Sequence, residues 1–257
     1  MIAAAQTTTF SSPWDDERVV VAPPTRIPLA SGTAAFAIYR IDYPRPNELH
    51  PLDDGQITNV VTEALRLLEP GGRIAIITPP TVRRAPWTSL AASVAHAIER
   101  AGAIMLAEIV WIKHPVPSPT RHCPGVRTFI SPHNPPMDVT SERILIAAKE
   151  SDSRIPDPIT RRRQGLPHKT DLDEQTWQRD TLDVWHAPAS EPSGVPDELY
   201  ARLISLYTYQ GELVVDMKCH TGTALLTADR LHRHSLGVDE DHDHVTQARD
   251  LITQDQS

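Results

Sequence analysis

Two acids separated by a loop of small residues are the groups in this sequence best suited to chemistry. Asp216 ends the apolar run Leu213-Val214-Val215, and Thr221-Gly222-Thr223 follows within a short loop. A helical segment and a short strand then lead to Asp239, about twenty residues past the loop, as in dinucleotide sites. Strand, loop, helix and acid-ended strand in this order are typical of a nucleotide-type cofactor site.

His220 departs from that pattern. A cofactor loop uses glycine where its backbone must come close to the ligand, because a side chain crowds the ligand or restricts the backbone. The loop therefore predicts a fold, and it leaves the activity open.

The segments that position these residues alternate between strand and helix patterns. Apolar runs predict strands at 34–39, 73–77, 104–113 and 143–148, and helical spacing predicts helices within 57–70 and over 89–101. Such alternation predicts an α/β fold with a mostly parallel sheet covered by helices on both faces.

The remaining segments define the expected domain organisation. Residues 1–30 are polar and lack a sustained period, so we assign them to an N-terminal arm, and 31–257 form one domain. Residues 114–136 and 150–182 are rich in proline and are expected to be insertions on the scaffold.

Composition limits the class of protein. The chain has 257 residues, 40% hydrophobic and 23% charged, as a soluble globular protein of one domain would. It has no apolar run long enough to span a bilayer and no secretion signal, so we expect it in the cytoplasm. Cys123 and Cys219 lie far apart, and neither has a neighbour at metal-ligand spacing.

Charge gives one candidate contact for nucleic acid. The net charge of −8 argues against a protein coated in nucleic acid, but local patches count more than totals. The basic run Arg161-Arg162-Arg163, with Lys169 nearby, could contact phosphates, or it could be a solvated loop.

Four stretches, taken in order, carry a likeness to a known family. They are LEPGGRIAII, EIVWIKHP with FISPHNPPMDVTSERILIAAK, DVWHAP with VPDELYARLISLYT, and GELVVDMKCHTGTALLTADRLHRHSLGVD. Together they resemble the amino-directed DNA methyltransferases, which modify adenine N6 or cytosine N4, in the permuted order with the catalytic half first. The resemblance covers about residues 34–250. It implies a Rossmann-like methyltransferase fold, S-adenosylmethionine (SAM) as cofactor and DNA as partner.

The cofactor motif of that family runs acid-Pro-Phe-x-Gly-Ser-Gly-Thr, against Asp-Met-Lys-Cys-His-Thr-Gly-Thr at 216–223 here. The resemblance implies that the acid and the loop amides hold the methionine part of SAM and that the second acid binds the ribose hydroxyls. Lys218 replaces an aromatic residue and removes an apolar wall beside the adenosine. The cofactor positions carried over are Asp216, Lys218, Thr221, Gly222, Thr223 and Asp239.

The family's catalytic motif is Asp/Asn/Ser-Pro-Pro-aromatic, and it follows a strand. Its carboxylate or amide oxygen and a proline carbonyl accept hydrogen bonds from the exocyclic amine, and its aromatic ring stacks on the flipped-out base. The matching positions here are Asp42, Tyr43 and Pro44, with Arg45 in place of the aromatic. Two other tetrapeptides look similar, Thr78-Pro79-Pro80-Thr81 and Asn134-Pro135-Pro136-Met137, but both occupy the wrong place in the order of elements.

Two further groups of residues have ordinary interpretations. His and carboxylate side chains alternate over 239–244, but consecutive residues cannot all converge on one ion. We therefore expect a solvated helix start and no metal there. Trp111 and Trp185 lie on or beside predicted strands and should be core residues, whereas Trp87 lies on a loop and could belong to a contact surface.

Three functions follow as hypotheses. The first is a SAM-dependent methyltransferase that flips a base, sets its amine against Asp42 and the Pro44 region, and contacts DNA through 114–136 and 150–182. The second is a catalytically silent relative that binds DNA or a protein partner, since both motifs have diverged. The third, a methyltransferase acting on a small molecule or protein, rests only on the acidic net charge. A homodimer is compatible with each.

Overall fold

The computed structural model describes residues 18–42, 54–79, 89–113, 140–188 and 194–255. Its strands are β1 Val19–Val21, β2 Ala34–Arg40, β3 Leu68–Thr78, β4 Ile104–Lys113, β5 Ser141–Ala148, β6 Val184–Ala187, β7 Leu213–Asp216 and β8 His234–Asp239. Its helices are α1 Asp54–Leu67, α2 Leu90–Arg100, α3 Pro158–Arg163, α4 Glu174–Asp180, α5 Asp197–Tyr207, α6 Thr223–Arg230 and α7 His242–Asp255. Within these ranges, no helix has both the length and the apolarity needed to cross a membrane.

A single sheet organises the described residues. It has eight strands in the order β1-β8-β7-β2-β3-β5-β4-β6. Only β5 runs against its neighbours; the other pairings along the sheet are parallel. The predicted α/β architecture with a mostly parallel sheet is confirmed.

The central strand β2 shows why the sheet must be covered on both faces. Ala37 and Tyr39 belong to a core cluster that includes α1 and α2. Phe36 and Ile38 belong to a second cluster that includes α5 and part of α6. Side chains alternate along a strand, so an apolar run places hydrophobic groups on both faces and requires helices on each.

Both tryptophans on the far strands are core residues, as expected. Trp111 on β4 is fully buried, and its indole N–H donates to the carbonyl of Ala187 at 3.0 Å. Trp185 on β6 is also buried, and its indole N–H donates to the carbonyl of Leu182 at 2.8 Å.

Part of the expected N-terminal arm belongs to the sheet. Strand β1 pairs with β8 in parallel, with Val20 opposite Val238. Ile27 and Leu29 are buried in the same core cluster as α1. Residues 18–30 are therefore packed on the domain, which an absence of sequence periodicity did not reveal.

The segment 150–182 also differs from the expected irregular insertion. It contains α3 and α4, and buried ion pairs hold it against the ends of the sheet strands. Arg154 and Arg161 each lie 2.7 Å from Glu212, just before β7, and Arg233, just before β8, pairs with Asp171 at 2.7 Å. These anchors lie where parallel strands begin, so the segment packs at the amino-terminal edge of the sheet.

Candidate functional site

Three acids meet at the opposite, carboxyl-terminal edge of the sheet. Asp216 is the last residue of β7, Asp239 is the last residue of β8, and Asp42 comes shortly after the end of β2. The three strands are adjacent and parallel. In open α/β sheets, ligands bind outside the carboxyl ends of the strands, so this edge is the candidate site.

The loop between β7 and α6 has the backbone of a cofactor loop. Gly222 has φ +84°, and a Cβ there would lie 2.9 Å from the Cβ of Ala248 on α7. Glycine at this position is thus required by packing as well as by conformation. His220 has φ +45°, in the left-handed region that costs a non-glycine residue about 1–2 kcal/mol. The loop therefore keeps a glycine-type conformation at the position where glycine is replaced.

Asp239 is a buried acid that backbone groups hold in a fixed orientation. It is 2% exposed. The backbone N–H of His220 donates to its Oδ2 at 3.0 Å, and the backbone N–H of Asp241 donates to its Oδ1 at 3.0 Å. Nδ1 of His244 lies 3.3 Å from the same Oδ2. The acid expected to bind ribose thus already connects the two neighbouring loops.

Asp216 is buried to a similar extent, and its ionisation is perturbed. Its Oδ1 accepts the backbone N–H of Lys218 at 3.1 Å. Burial raises the pKa of Asp216 to about 6, although that hydrogen bond acts in the opposite direction. This carboxyl group consequently changes charge close to neutral pH.

Asp42 contacts two side chains of the cofactor loop. Lys218 donates from Nζ to Oδ2 of Asp42, and Nε2 of His220 lies 3.2 Å from Oδ1. Burial would raise the pKa of Asp42, but the hydrogen bonds from His220 and Lys218 outweigh it and hold that pKa well below its usual range. Both carboxylate oxygens are therefore engaged, which weakens Asp42 as an acceptor for a further N–H.

The hydroxyl-bearing residues of the loop lie nearby. Thr221 is exposed, and its hydroxyl is 3.5 Å from that of Thr223, the first residue of α6. The six expected cofactor positions are thus brought together at one edge, with Asp42 beside them. Tyr43, Pro44 and Arg45 lie outside the described residues.

The similar tetrapeptides contribute no competing site among the described residues. Thr78 at the end of β3 is buried, and its hydroxyl donates to the carbonyl of Arg143 at 3.2 Å. Asn134 and Trp87 lie outside the described residues.

The basic run divides into buried and exposed members. Arg161 is buried, its Nε donates to the carbonyl of Pro167 at 2.6 Å, and its guanidinium lies 4.3 Å from the ring centre of Tyr209. Its guanidinium lies 2.7 Å from Glu212, so a contact with a DNA phosphate would require this ion pair to break. Arg162, Arg163 and Lys169 are exposed, but they lie on the segment at the amino-terminal edge.

The proximity of His220 and His244 at this edge was not predicted from the sequence. Their ring centres are 5.1 Å apart, and Asp239 lies beside both. Two separate signals were present in the sequence, the departure of residue 220 from glycine and the alternation of His and carboxylate side chains over 239–244. The proximity of His220 to Asp42 and His244 depends on how three separate segments pack.

Solved structures share this fold. The Thermus thermophilus protein TTHA0409, provisionally named a DNA modification methylase, is 24% identical, with a TM-score of 0.71 over 92% of this chain and 94% of that chain. The same protein complexed with S-adenosyl-L-methionine gives a TM-score of 0.72 at 23% identity, over 92% and 93% of the chains. The PvuII cytosine-N4-specific DNA methyltransferase is 12% identical, with a TM-score of 0.65 over 92% and 89% of the chains. At these identities the likeness establishes the methyltransferase fold.

The sequence itself establishes the family. No curated protein matches it significantly. The family model for DNA methylases of the N6/N4 type matches residues 53–250, which is most of the chain and includes Asp216, Asp239 and the loop after β7. By this match, the chain belongs to the N6/N4 DNA methylase family.

Proposed function

We propose that the protein binds SAM at the carboxyl-terminal edge of the sheet and transfers its methyl group to the exocyclic amine of adenine or cytosine in DNA. The observation that carries the proposal is that Asp42, Asp216 and Asp239 lie together at the carboxyl ends of three adjacent parallel strands. In this family's pattern, the first acid receives the amine, and the loop with the second acid holds the cofactor.

The residues at this edge fit SAM in part. Asp239 offers a buried carboxylate for the ribose hydroxyls, and the loop after β7 keeps a left-handed backbone at residue 220, where the family's pattern has glycine. SAM supplies a methyl group carried on a sulfonium, which an acidic edge tolerates better than a basic one. The side chains of Lys218 and His220 oppose the fit, because both cross this edge toward Asp42.

Asp42 has a defined task in the proposed transfer. One of its oxygens would accept an N–H from the target amine, which would keep the nitrogen lone pair available for methylation, and the proton that the methylated nitrogen loses would pass to solvent. No covalent intermediate with the protein is needed. Because Lys218 and His220 now engage both oxygens, at least one of these contacts must open first. Such a partly exposed ion pair contributes about 0.2–1 kcal/mol, so substrate binding could supply the opening energy.

We further propose that DNA approaches the carboxyl-terminal edge. A target base must leave the duplex to reach Asp42. Lys113 and Thr140, which bound the Pro-rich residues 114–139, are hydrogen-bonded to each other at 3.0 Å at this edge. Asp42, which precedes residues 43–53, lies at the same edge. These two stretches therefore attach where a flipped base would enter.

A catalytically silent module is the second candidate, and one observation favours it. Lys218 and His220, two of the departures from the cofactor motif, are the residues that engage Asp42. These two substitutions therefore affect both the cofactor loop and the proposed catalytic acid.

Two measurements separate the candidates: calorimetric titration with SAM, and transfer of radioactive methyl groups from SAM to DNA. For an enzyme we expect micromolar SAM binding and methyl transfer, with transfer lost in Asp42→Ala while SAM still binds. Asp183→Ala, which removes an exposed acid before β6, is the matched control and should leave transfer unchanged.

The double variant Lys218→Phe/His220→Gly restores the family's residue types at these two positions and frees Asp42. Its SAM affinity should rise by about threefold to tenfold, corresponding to the roughly 0.6–1.4 kcal/mol of contacts removed. A folded wild-type protein and double variant that both bind DNA but not SAM would exclude the enzyme and support the silent module.

A further inference from the structure

His220, Asp239 and His244 form a compact group with potential metal ligands. One ring nitrogen from each imidazole and one carboxylate oxygen of Asp239 all lie within 4.8 Å of one another. The residues come from the loop after β7, the end of β8 and the first turn of α7, so the fold brings them together from separate segments.

The carboxylate of this group is already oriented toward both imidazoles. Asp239 is buried, and backbone N–H groups hold each of its oxygens at 3.0 Å. Metal-binding carboxylates are commonly fixed by hydrogen bonds of this kind. Asp239 therefore needs no rearrangement of its own to act as a ligand.

His244 has a buried ring nitrogen that makes no hydrogen bond to the nearby Asp239. Its Nδ1 is buried and has no hydrogen-bond partner among the described residues, although it lies 3.3 Å from Oδ2 of Asp239. A buried ring nitrogen without a partner is unfavourable, and either a proton or a metal ion would satisfy it. Because the ring of His220 lies nearby, one metal ion could bind both imidazoles.

His220 also has the outer contact typical of a ligating histidine. Such an imidazole usually donates its other N–H to a carboxylate or carbonyl, which orients the ring. Asp42 lies 3.2 Å from Nε2 of His220 and provides such a carboxylate. This arrangement gives His220 a reason to occupy a left-handed position that favours glycine.

We propose that His220, Asp239 and His244 bind one divalent transition-metal ion, with Zn²⁺ as the representative. Two imidazoles and one carboxylate suit Zn²⁺, Co²⁺, Ni²⁺ or Fe²⁺, whereas Mg²⁺ and Ca²⁺ prefer oxygen ligands only. Zinc bonds to such atoms are about 2.0–2.2 Å long, so ligands now within 4.8 Å of one another need to close by only a small movement.

This site has a consequence for the proposed function without depending on it. Asp239 is both a metal ligand here and the proposed partner of the SAM ribose. An ion bound to it should therefore compete with SAM. Metal binding is measured without SAM or DNA, so a failure of SAM binding would leave the metal result standing.

The test is calorimetric titration of the chelator-treated full chain with ZnCl₂, supported by the visible absorption of the Co²⁺ form, which reports nitrogen and oxygen coordination. We expect one equivalent to bind. His244→Ala and His220→Gly should each weaken binding by at least about tenfold, since even outer-shell changes cost that much. His242→Ala is the matched control, because His242 is exposed on the same helical turn and lies outside the group; its affinity should equal that of wild type.

Two results would overturn the proposal. One is a folded wild-type protein that binds no Zn²⁺ at micromolar concentration. The other is binding that survives in the double variant His220→Gly/His244→Ala or that His242→Ala weakens equally, since the ion would then sit elsewhere. Thermal unfolding of each metal-free variant confirms that it is folded.

Discussion

At the scale of single residues, the raised pKa of Asp216 is a property of the candidate site that can be tested. Its folded pKa of about 6 lies above the usual value of about 3.8 because burial disfavours its charge. Asp239 adds to this effect, while Arg40 and His220 partly offset it. A buried acid with a perturbed pKa at the end of a strand is a candidate for a functional position.

The raised pKa has a defined effect on stability. A carboxyl group with a folded pKa above its unfolded pKa lowers the free energy of unfolding as pH rises from about 4 to about 6, because the unfolded state ionises first. Asp216→Asn keeps an acceptor for the Lys218 amide and removes the charge. Relative to wild type, this variant should gain up to about 3 kcal/mol between pH 4 and pH 7.5. Urea unfolding of both proteins at these pH values measures the difference. A difference that is the same at both would show that Asp216 does not titrate as stated.

At the scale of elements, ion pairs hold the segment containing α3 and α4 against the starts of β7 and β8. Arg154 and Arg161 converge on Glu212, and Arg233 forms a two-point contact with Asp171 at 2.7 and 3.0 Å. The polar and basic composition that made this segment resemble a DNA-contacting loop reflects these buried ion pairs in part. Charged residues in an insertion can serve packing when acids lie at the strand ends they cover.

Alanine variants within the basic run separate packing from DNA contact. Arg161→Ala should lower the free energy of unfolding by about 2–3 kcal/mol, somewhat below the usual cost of breaking a buried pair because Arg154 still neutralises Glu212. Arg162→Ala/Arg163→Ala, the matched exposed pair, should change it by no more than about 0.5 kcal/mol. Chemical denaturation measures both. The DNA affinity of the Arg162→Ala/Arg163→Ala variant should stay within about twofold of the wild-type affinity. A larger loss would indicate that this segment does contact DNA.

At the scale of the whole molecule, the two edges of the sheet carry different groups. The segment 150–182 packs at the amino-terminal edge, and the carboxyl-terminal edge carries Asp42, Asp216 and Asp239. A parallel sheet separates these edges by a strand length, about 20 Å for six residues. Ligands bound at one edge should therefore leave the other largely unaffected.

Hydrogen–deuterium exchange tests this division. SAM should slow amide exchange in the loop 217–222 and in the turn 239–244, and exchange in 157–182 should stay as in the free protein, because ordering is local to the ligand. Equal protection at both edges would mean that the segments are coupled or that the ligand binds elsewhere.

The amino-acid sequence was sufficient to predict the fold and which acids lie at the ends of β7 and β8. Continuous apolar runs and helical spacing indicate which segments are strands and helices, and neighbouring parallel strands must end at a common edge. The acids after β7 and β8 were therefore predictable from local pattern. The packing of residues 18–30 was not, because a three-residue strand leaves no periodic signal.

The surroundings of these acids depend on contacts between segments that are distant in the chain. The contacts of Lys218 and His220 with Asp42 span residues far apart in the chain, and their existence depends on β2 lying beside β7. The same holds for the group of His220, Asp239 and His244, which sequence alone dismissed because neighbouring residues cannot share one ion. The spacing of hydrophobic residues indicates whether a segment is a helix or a strand, because each has its own backbone period. Which side chains from separate segments come into contact depends on how the helices and strands pack.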